Sequence, residues 1–195
     1  MSDAPGTHTL PGREAPEPAM NPENVERELE RMHGSSFGWA LACCRWDRQE
    51  AEEVLQASYL KALEGRARFN GHASVKTWFF GVVKRTAAEQ RRTRLVRHLA
   101  LGRWLLRSPA GPEVPTPESL SSRNEAQARL RRLLRRLSGR QRDLMHLVFY
   151  EGLTVEQAAE VLHVGIGTAR THYERGKARL RELLESETTG AGEGR

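Results

Sequence analysis

The segment Thr154 to Arg181 reads T-V-E-Q-A-A-E-V-L-H-V-G-I-G-T-A-R-T-H-Y-E-R-G-K-A-R-L-R. It has the form of two short helices around a tight turn, the second studded with Arg, Lys, Thr and His. That is the build of a helix-turn-helix, whose second helix can enter the DNA major groove. The grammar is local. Thr154 and Gln157 stand at capping-box spacing, in which a hydroxyl takes an orphan N–H and an amide reaches back. Ser138 and Gln141 repeat the device one helix earlier, and Gly152 falls where a helix over 141–151 should stop on a left-handed residue. Leu144, Leu147 and Val148 recur at helical spacing, as do Val155, Ala158, Ala159 and Leu162. On the next helix Ile166, Ala169, Tyr173 and Leu180 share one side, with Arg170, Thr171, Arg175 and Arg179 toward the other. A recognition helix of about 16 residues spans roughly 24 Å, enough to cross a groove about 12 Å wide. Lys177, Arg179 and Arg181 suit phosphates, while Arg170, Thr171 and His172 near the helix N-terminus suit base edges.

Outward from this segment the chain is basic, with 31 Lys and Arg against 25 Asp and Glu and a net charge of +6, which favours a polyanionic partner. No apolar run approaches the length of a membrane span. The N-terminal stretch 1–22 is rich in Pro and Gly and has no apolar centre, so it reads as a disordered extension rather than a secretory signal. The tail 186–195 reads the same way, and a cytoplasmic location follows. Cys43 and Cys44 are adjacent within an apolar run. Neighbouring cysteines rarely bridge and two thiols alone build no zinc site, so they read as buried small hydrophobes. The seven histidines show no ligand spacing. No nucleophile elbow, phosphate loop or dinucleotide fingerprint occurs, so the expectation is no enzyme, no cofactor and no metal.

Strand signals are nearly absent, and the periodicity predicts an all-α protein. Helices are expected at about 23–46 (with a break near Gly34), 48–64, 74–107 (interrupted near Gly102), 122–136, 140–151, 154–162 and 166–184. Ser108-Pro-Ala-Gly-Pro-Glu-Val-Pro-Thr-Pro117 carries four prolines and cannot be helical. It makes 108–121 an extended linker between a helical domain at 23–107 and a second at 122–185.

Charge in the first domain is polarised. Its early helices carry Glu23, Glu26, Glu28, Glu30, Asp47, Glu50, Glu52, Glu53 and Glu64; the later one carries Lys76, Lys84, Arg85, Arg91, Arg92, Arg94, Arg97, Arg103 and Arg107, with only Glu89 opposing. One side suits a basic protein partner and the other an acidic polymer. Asp47 and Glu50 also resemble a capping pair at a helix start. Between the two parts, Phe69-Asn-Gly-His-Ala-Ser-Val-Lys-Thr-Trp-Phe-Phe80 is a polar loop running into an aromatic helix start. Amide-bearing loops beside aromatics suit an unstacked single-stranded base. Aromatics in such a run, here Trp78, Phe79 and Phe80, are more often core residues.

Three motifs together resemble the extracytoplasmic-function (ECF) sigma factors of the sigma-70 family. They are Asp47 to Ala62, Phe69 to Arg92, and Leu137-Ser-Gly-Arg-Gln-Arg through Arg181. The resemblance implies a polymerase-binding and promoter-melting region 2, and a region 4 helix-turn-helix, joined by the Pro-rich linker. It implies that Asp47, Glu50, Glu53 and Gln56 dock on the β′ clamp helices of core RNA polymerase, with the β flap as a further contact. Asn70, His72 and Ser74 fall in the loop that captures a flipped −10 base, beside Lys76 and Trp78, with Lys84, Arg85, Arg91 and Arg92 along the melted strand. Thr168, Arg170, Thr171, His172, Arg175, Lys177 and Arg179 fall on the −35 helix. An anti-sigma factor is an implied partner. Two departures stand out: Ala57 replaces a usual acid, and His163 occupies the usual glycine of the turn, where a left-handed conformation is expected. A stand-alone helix-turn-helix regulator is the alternative reading. A membrane-surface adaptor using Arg91 to Arg107, where Leu95, Leu99, Leu105 and Leu106 recur, is a third.

Overall fold

Local capping chemistry sets most of the helix boundaries. A computed structural model describes residues 22–102 and 132–190. The extension 1–21, the linker 108–121, most of the expected 122–136 helix and the last residues of the tail lie outside them; residues 132–135 are helical. The described elements are α1 (Pro22–Arg31), α2 (His33–Cys43), α3 (Arg48–Leu63), α4 (Val75–Gly102), α5 (Gly139–Met145), α6 (Val155–Leu162) and α7 (Ile166–Gly190). Asp47 Oδ1 accepts from the Glu50 N–H at 2.8 Å and starts α3. Both capping boxes form, Ser138 with Gln141 ahead of α5 and Thr154 with Gln157 ahead of α6. Gly152 adopts φ 68°, and His163 caps α6 in the left-handed region at φ 51°, ψ 50°.

The break expected near Gly34 in the helix over 23–46 falls at Met32, whose φ of −94° and ψ of 13° lie in the bridge region between helices. One expectation is corrected. The helix over 140–151 changes pitch: after Met145 the turn His146–Tyr150 is a π-helix, closed by the Glu151 N–H on the His146 carbonyl at 3.2 Å. A π-turn inserts one residue into the helical register. Leu144 and Leu147 are in the core here, and His146 is buried beside the Trp39 ring of α2.

The core is centred on Trp39, which is fully buried. Its indole N–H donates to the Phe80 carbonyl at 3.0 Å, and its ring stacks on Phe80 with centroids 6.0 Å apart. The Lys84 ammonium lies 5.5 Å from the same ring. Around Trp39 a single apolar cluster takes in Val54 and Leu55 of α3, Phe79, Val82 and Val83 of α4, and Leu144, Leu147, Ala158, Val161 and Ala169 from the C-terminal helices. The two helical groups therefore share a core. A smaller cluster of Leu134, Leu137 and Met145 packs with Tyr173 and Leu180. Gly176 makes that approach possible, since a Cβ there would stand 3.2 Å from Met145 Cγ. Cys43 and Cys44 are buried free thiols, as their apolar setting suggests. Burial pushes the Cys44 thiol up to about 11.

Candidate nucleic-acid interface

The loop between α3 and α4 presents Asn70, His72 and Ser74 at the surface. Asn70 Oδ1 accepts from the His72 N–H at 3.3 Å, tightening the turn, and Gly71 takes φ 75° within it. The Ser74 hydroxyl accepts from the Thr77 N–H at 3.1 Å and so caps α4. Half-buried Trp78 packs against Phe69, with centroids 5.3 Å apart, while Phe79 and Phe80 are wholly in the core. Arg66, Arg68, Asn70, Trp78 and Arg85 line one cleft of about 940 Å³. Amide, stacking surface and cations thus converge on one place, the combination that holds an unstacked base.

The basic residues of α4 divide between two faces. Arg85 and Arg92 are exposed, seven residues apart and in line with Trp78. Lys76 and Lys84 turn the other way, toward the C-terminal helices, and are 29% and 28% exposed. Lys84 pairs with Asp143. Lys76 donates to the Glu151 carbonyl at 2.6 Å and lies 3.1 Å from its carboxylate. Arg91 donates to the Cys43 carbonyl at 2.9 Å.

Glu151 is the hub of this contact, with a side chain only 5% exposed. Its carboxylate accepts from the Ser35 hydroxyl at 2.6 Å and stands 3.3 Å from His146 Nε2. Burial works to raise its pKa, but the adjoining His146 ring, the Ser35 hydroxyl and the Lys76 ammonium outweigh that and hold the carboxyl below its ordinary value. His146 lies among Trp39, Trp46 and Tyr150, with centroids 5.4, 6.4 and 5.3 Å away. Trp46 is brought there by a strained corner in which Arg45 (φ 56°) and Trp46 (φ 71°) are both left-handed. Asp143, His146 and Glu151 had no motif to mark them. The one available signal was acids closing a helix in an otherwise cationic segment.

On α7, Thr168, Arg170, Thr171 and Arg175 are exposed near the N-terminus, and His172 is half-buried. Arg170 is anchored by Glu156 at 2.9 Å, and the Thr171 hydroxyl donates to the Gly167 carbonyl at 2.9 Å. Further along, Lys177 pairs with Glu174 at 2.8 Å, and Arg179 with Glu182 at 2.8 Å. α7 runs 25 residues, well beyond the length a groove crossing needs.

On α3, Asp47 is spent on the cap, Gln56 is exposed, and Glu50 and Glu53 both meet Arg94 of α4, the latter at 2.6 Å. Among the described residues no group of side chains is arranged to hold a metal ion. No described helix is long and apolar enough to cross a membrane.

Residues 36–97 match sigma-70 region 2, and residues 127–180 match sigma-70 region 4. The chain is 25% identical over 142 residues to the ECF RNA polymerase sigma factor SigX of Bacillus subtilis, covering 71% of this chain and 73% of that one. It belongs to the ECF group of the sigma-70 family of RNA polymerase sigma factors. It is also 23% identical over 160 residues to the RNA polymerase sigma factor NccH of Alcaligenes xylosoxydans xylosoxydans, over 82% of this chain and 86% of the relative. Its fold resembles the sigma factor RpoE of Bartonella quintana, crystallised with the anti-sigma factor NepR. The TM-score is 0.63 at 23% identity, over 84% of this chain and 98% of that one. The family is non-enzymatic, and the region 2 match accounts for the helices a stand-alone helix-turn-helix regulator would leave unexplained.

Proposed function

We propose that this sigma factor directs initiation by reading a promoter with two surfaces while docked on core polymerase. α3 docks on the β′ clamp helices through Asp47, Glu50, Glu53 and Gln56, and region 4 sits near the β flap. The Asn70–Ser74 loop receives a −10 base that has left the stack, with Trp78 beside it. Arg85 and Arg92, joined by Lys76, Lys84 and Arg91, follow the separated strand. The N-terminal half of α7 reads the −35 element through Thr168, Arg170, Thr171, His172 and Arg175, with Lys177 and Arg179 on phosphates. The working division is a region 2 domain over 23–107, a linker over 108–121 and a region 4 domain over 122–185. The protein acts in the cytoplasm. An anti-sigma factor is a partner in this reading, because the similar RpoE was crystallised with one.

The observation that carries the reading is the convergence of Asn70, Trp78, Arg66, Arg68 and Arg85, all within the region 2 match, on one wall of a cleft whose other wall holds Glu156, Glu160 and His163 of region 4. Melting then follows from differential binding. Opening one DNA step costs about 1.4 kcal/mol, and stacking one base on a protein aromatic returns about 1–3 kcal/mol. Each captured base therefore offsets the opening of about one step. The test is permanganate reactivity of −10 thymines with reconstituted holoenzyme. Wild type should open the bubble, and Asn70→Ala should weaken opening while polymerase binding persists. Unimpaired opening in Asn70→Ala would remove the loop from the melting step.

A further inference from the structure

The loop 69–74 stands as a partition between two clefts. Asn70 and Trp78 line the one of about 940 Å³, with Arg66, Arg68 and Arg85. Phe69, His72 and Ser74 line the other, of about 860 Å³, together with Arg27 and Arg31 of α1. We propose that this second cleft is a further single-stranded DNA site, in which α1 takes the phosphates of the nucleotides next to the captured −10 base. The idea deepens the promoter-reading assignment above and rests on it.

The sequence of α1 is acidic, but its charges are sorted by face. Asn24, Arg27 and Arg31 recur at i, i+3 and i+7, and all three line the cleft beside the loop. Glu26 and Glu30 line a different groove, beside Leu63 and Tyr59 of α3. Solubility alone asks only that the two signs be mixed over the surface, so it does not account for this sorting. Buried Leu29 and half-buried Val25 fix the rotation of α1 on the core, and so decide which side meets the loop. Both arginines are available to a strand. Arg27 lies 3.7 Å from Glu23 and Arg31 3.3 Å from Glu28, with the arginine side chains 63% and 76% exposed. Exposed pairs along one helix hold weakly and yield to a phosphate. Lys76 lines the same cleft, but its ammonium is taken by Glu151, and the facing wall is Gln157 and Glu160 of α6. The cations this cleft offers are therefore those of α1.

The two clefts repeat one chemistry. Each has an aromatic, polar groups of the loop and arginines, the set that holds unstacked nucleotides. Phe69 and Trp78 touch across the partition, with centroids 5.3 Å apart. A strand leaving the first cleft along α4 meets Arg85 and Arg92. A strand leaving it across the loop meets Arg27 and Arg31. α4 and α1 thus serve opposite sides of the captured base.

The test titrates reconstituted holoenzyme with fluorescent single-stranded DNA carrying a −10 sequence enriched by transcription selection. The strand is either trimmed at the captured base or extended by a few nucleotides on its 5′ or its 3′ side. Extension on one of the two sides should tighten binding through α1. Arg27→Gln/Arg31→Gln should lose that gain, roughly fivefold near 0.1 M salt, and should lower the salt slope by about 1.4, the value for two phosphates of a single strand. Binding of the strand extended on the other side should not change. Arg27→Lys/Arg31→Lys keeps the charge and should keep the slope. Arg135→Gln/Arg136→Gln, exposed in region 4, removes the same charge and should leave the gain intact. An equal loss in the charge control, an equal loss for both extensions, or the same loss in the lysine pair overturns the proposal. Asn70→Ala is titrated in parallel and should weaken every strand alike. If it does so while the arginine pair changes nothing, the α1 site alone fails. If Asn70→Ala leaves every affinity unchanged, the loop assignment fails and the α1 site falls with it.

Discussion

The two basic helices, α4 and α7, look alike as strings of Arg and Lys but are placed under different constraints. On α4 the lysines at 76 and 84 are met by acids 75 and 59 residues away in sequence. On α7 the cations meet acids of region 4 itself: Glu156, Glu174 and Glu182. The first kind of pairing makes a surface conditional on the arrangement of the whole chain. The second orients side chains and leaves the surface presented. Two helices of similar composition thus differ in how their cations are held.

The comparison breaks most completely if the shared core is removed. Trp39→Ala should destabilise the protein by about 3–5 kcal/mol, the usual cost of emptying a buried aromatic site. Calorimetry should show both regions losing stability, and a change confined to region 2 would mean that the regions do not share this core.

A smaller effect separates charge from packing. Glu151 has its carboxyl held below the ordinary value of 4.5. Its contribution is therefore complete above that value and is lost as pH falls through the lower folded value. Melting temperatures of wild type and Glu151→Gln should differ at pH 7 and converge in acid. Parallel curves would show that Glu151 contributes by shape alone.

On α7 the expected effect concerns reading rather than stability. Arg170→Ala should cost about 1–3 kcal/mol of discrimination among −35 variants if the guanidinium reads a base. Uniform weakening across variants, seen in a binding titration, would demote it to a phosphate contact. The smallest effect is at the turn. His163→Gly should stabilise region 4 by up to about 1 kcal/mol, because a left-handed residue with a Cβ is strained by roughly that amount. Thermal unfolding that does not shift upward would mean the imidazole offsets its own strain.

These contrasts also mark how far the chain could be read from its residues. The caps at Asp47, Ser138 and Thr154, the stop at Gly152 and the left-handed His163 were legible because each signal lies within four residues of its effect. The aromatic core and the family motifs were legible by period and order. The π-turn was not: it accompanies the burial of His146 against Trp39, a contact with a residue about a hundred positions earlier that no local signal announces. Nor was the split of the α4 cations: a lysine's charge is written in the sequence, but its partner is set by tertiary packing. The acidic face of α3 falls between these cases. Asp47 could be read as a cap, whereas the link from Glu50 and Glu53 to Arg94 needed the fold.

The most direct measurement is run-off transcription from a randomised promoter library with core polymerase and this sigma factor. The account predicts transcripts that enrich two separated sequence blocks, with Arg170→Ala relaxing the upstream block and Asn70→Ala weakening selection at the downstream one. Transcripts with no sequence enrichment, or both substitutions affecting the same block, would contradict it.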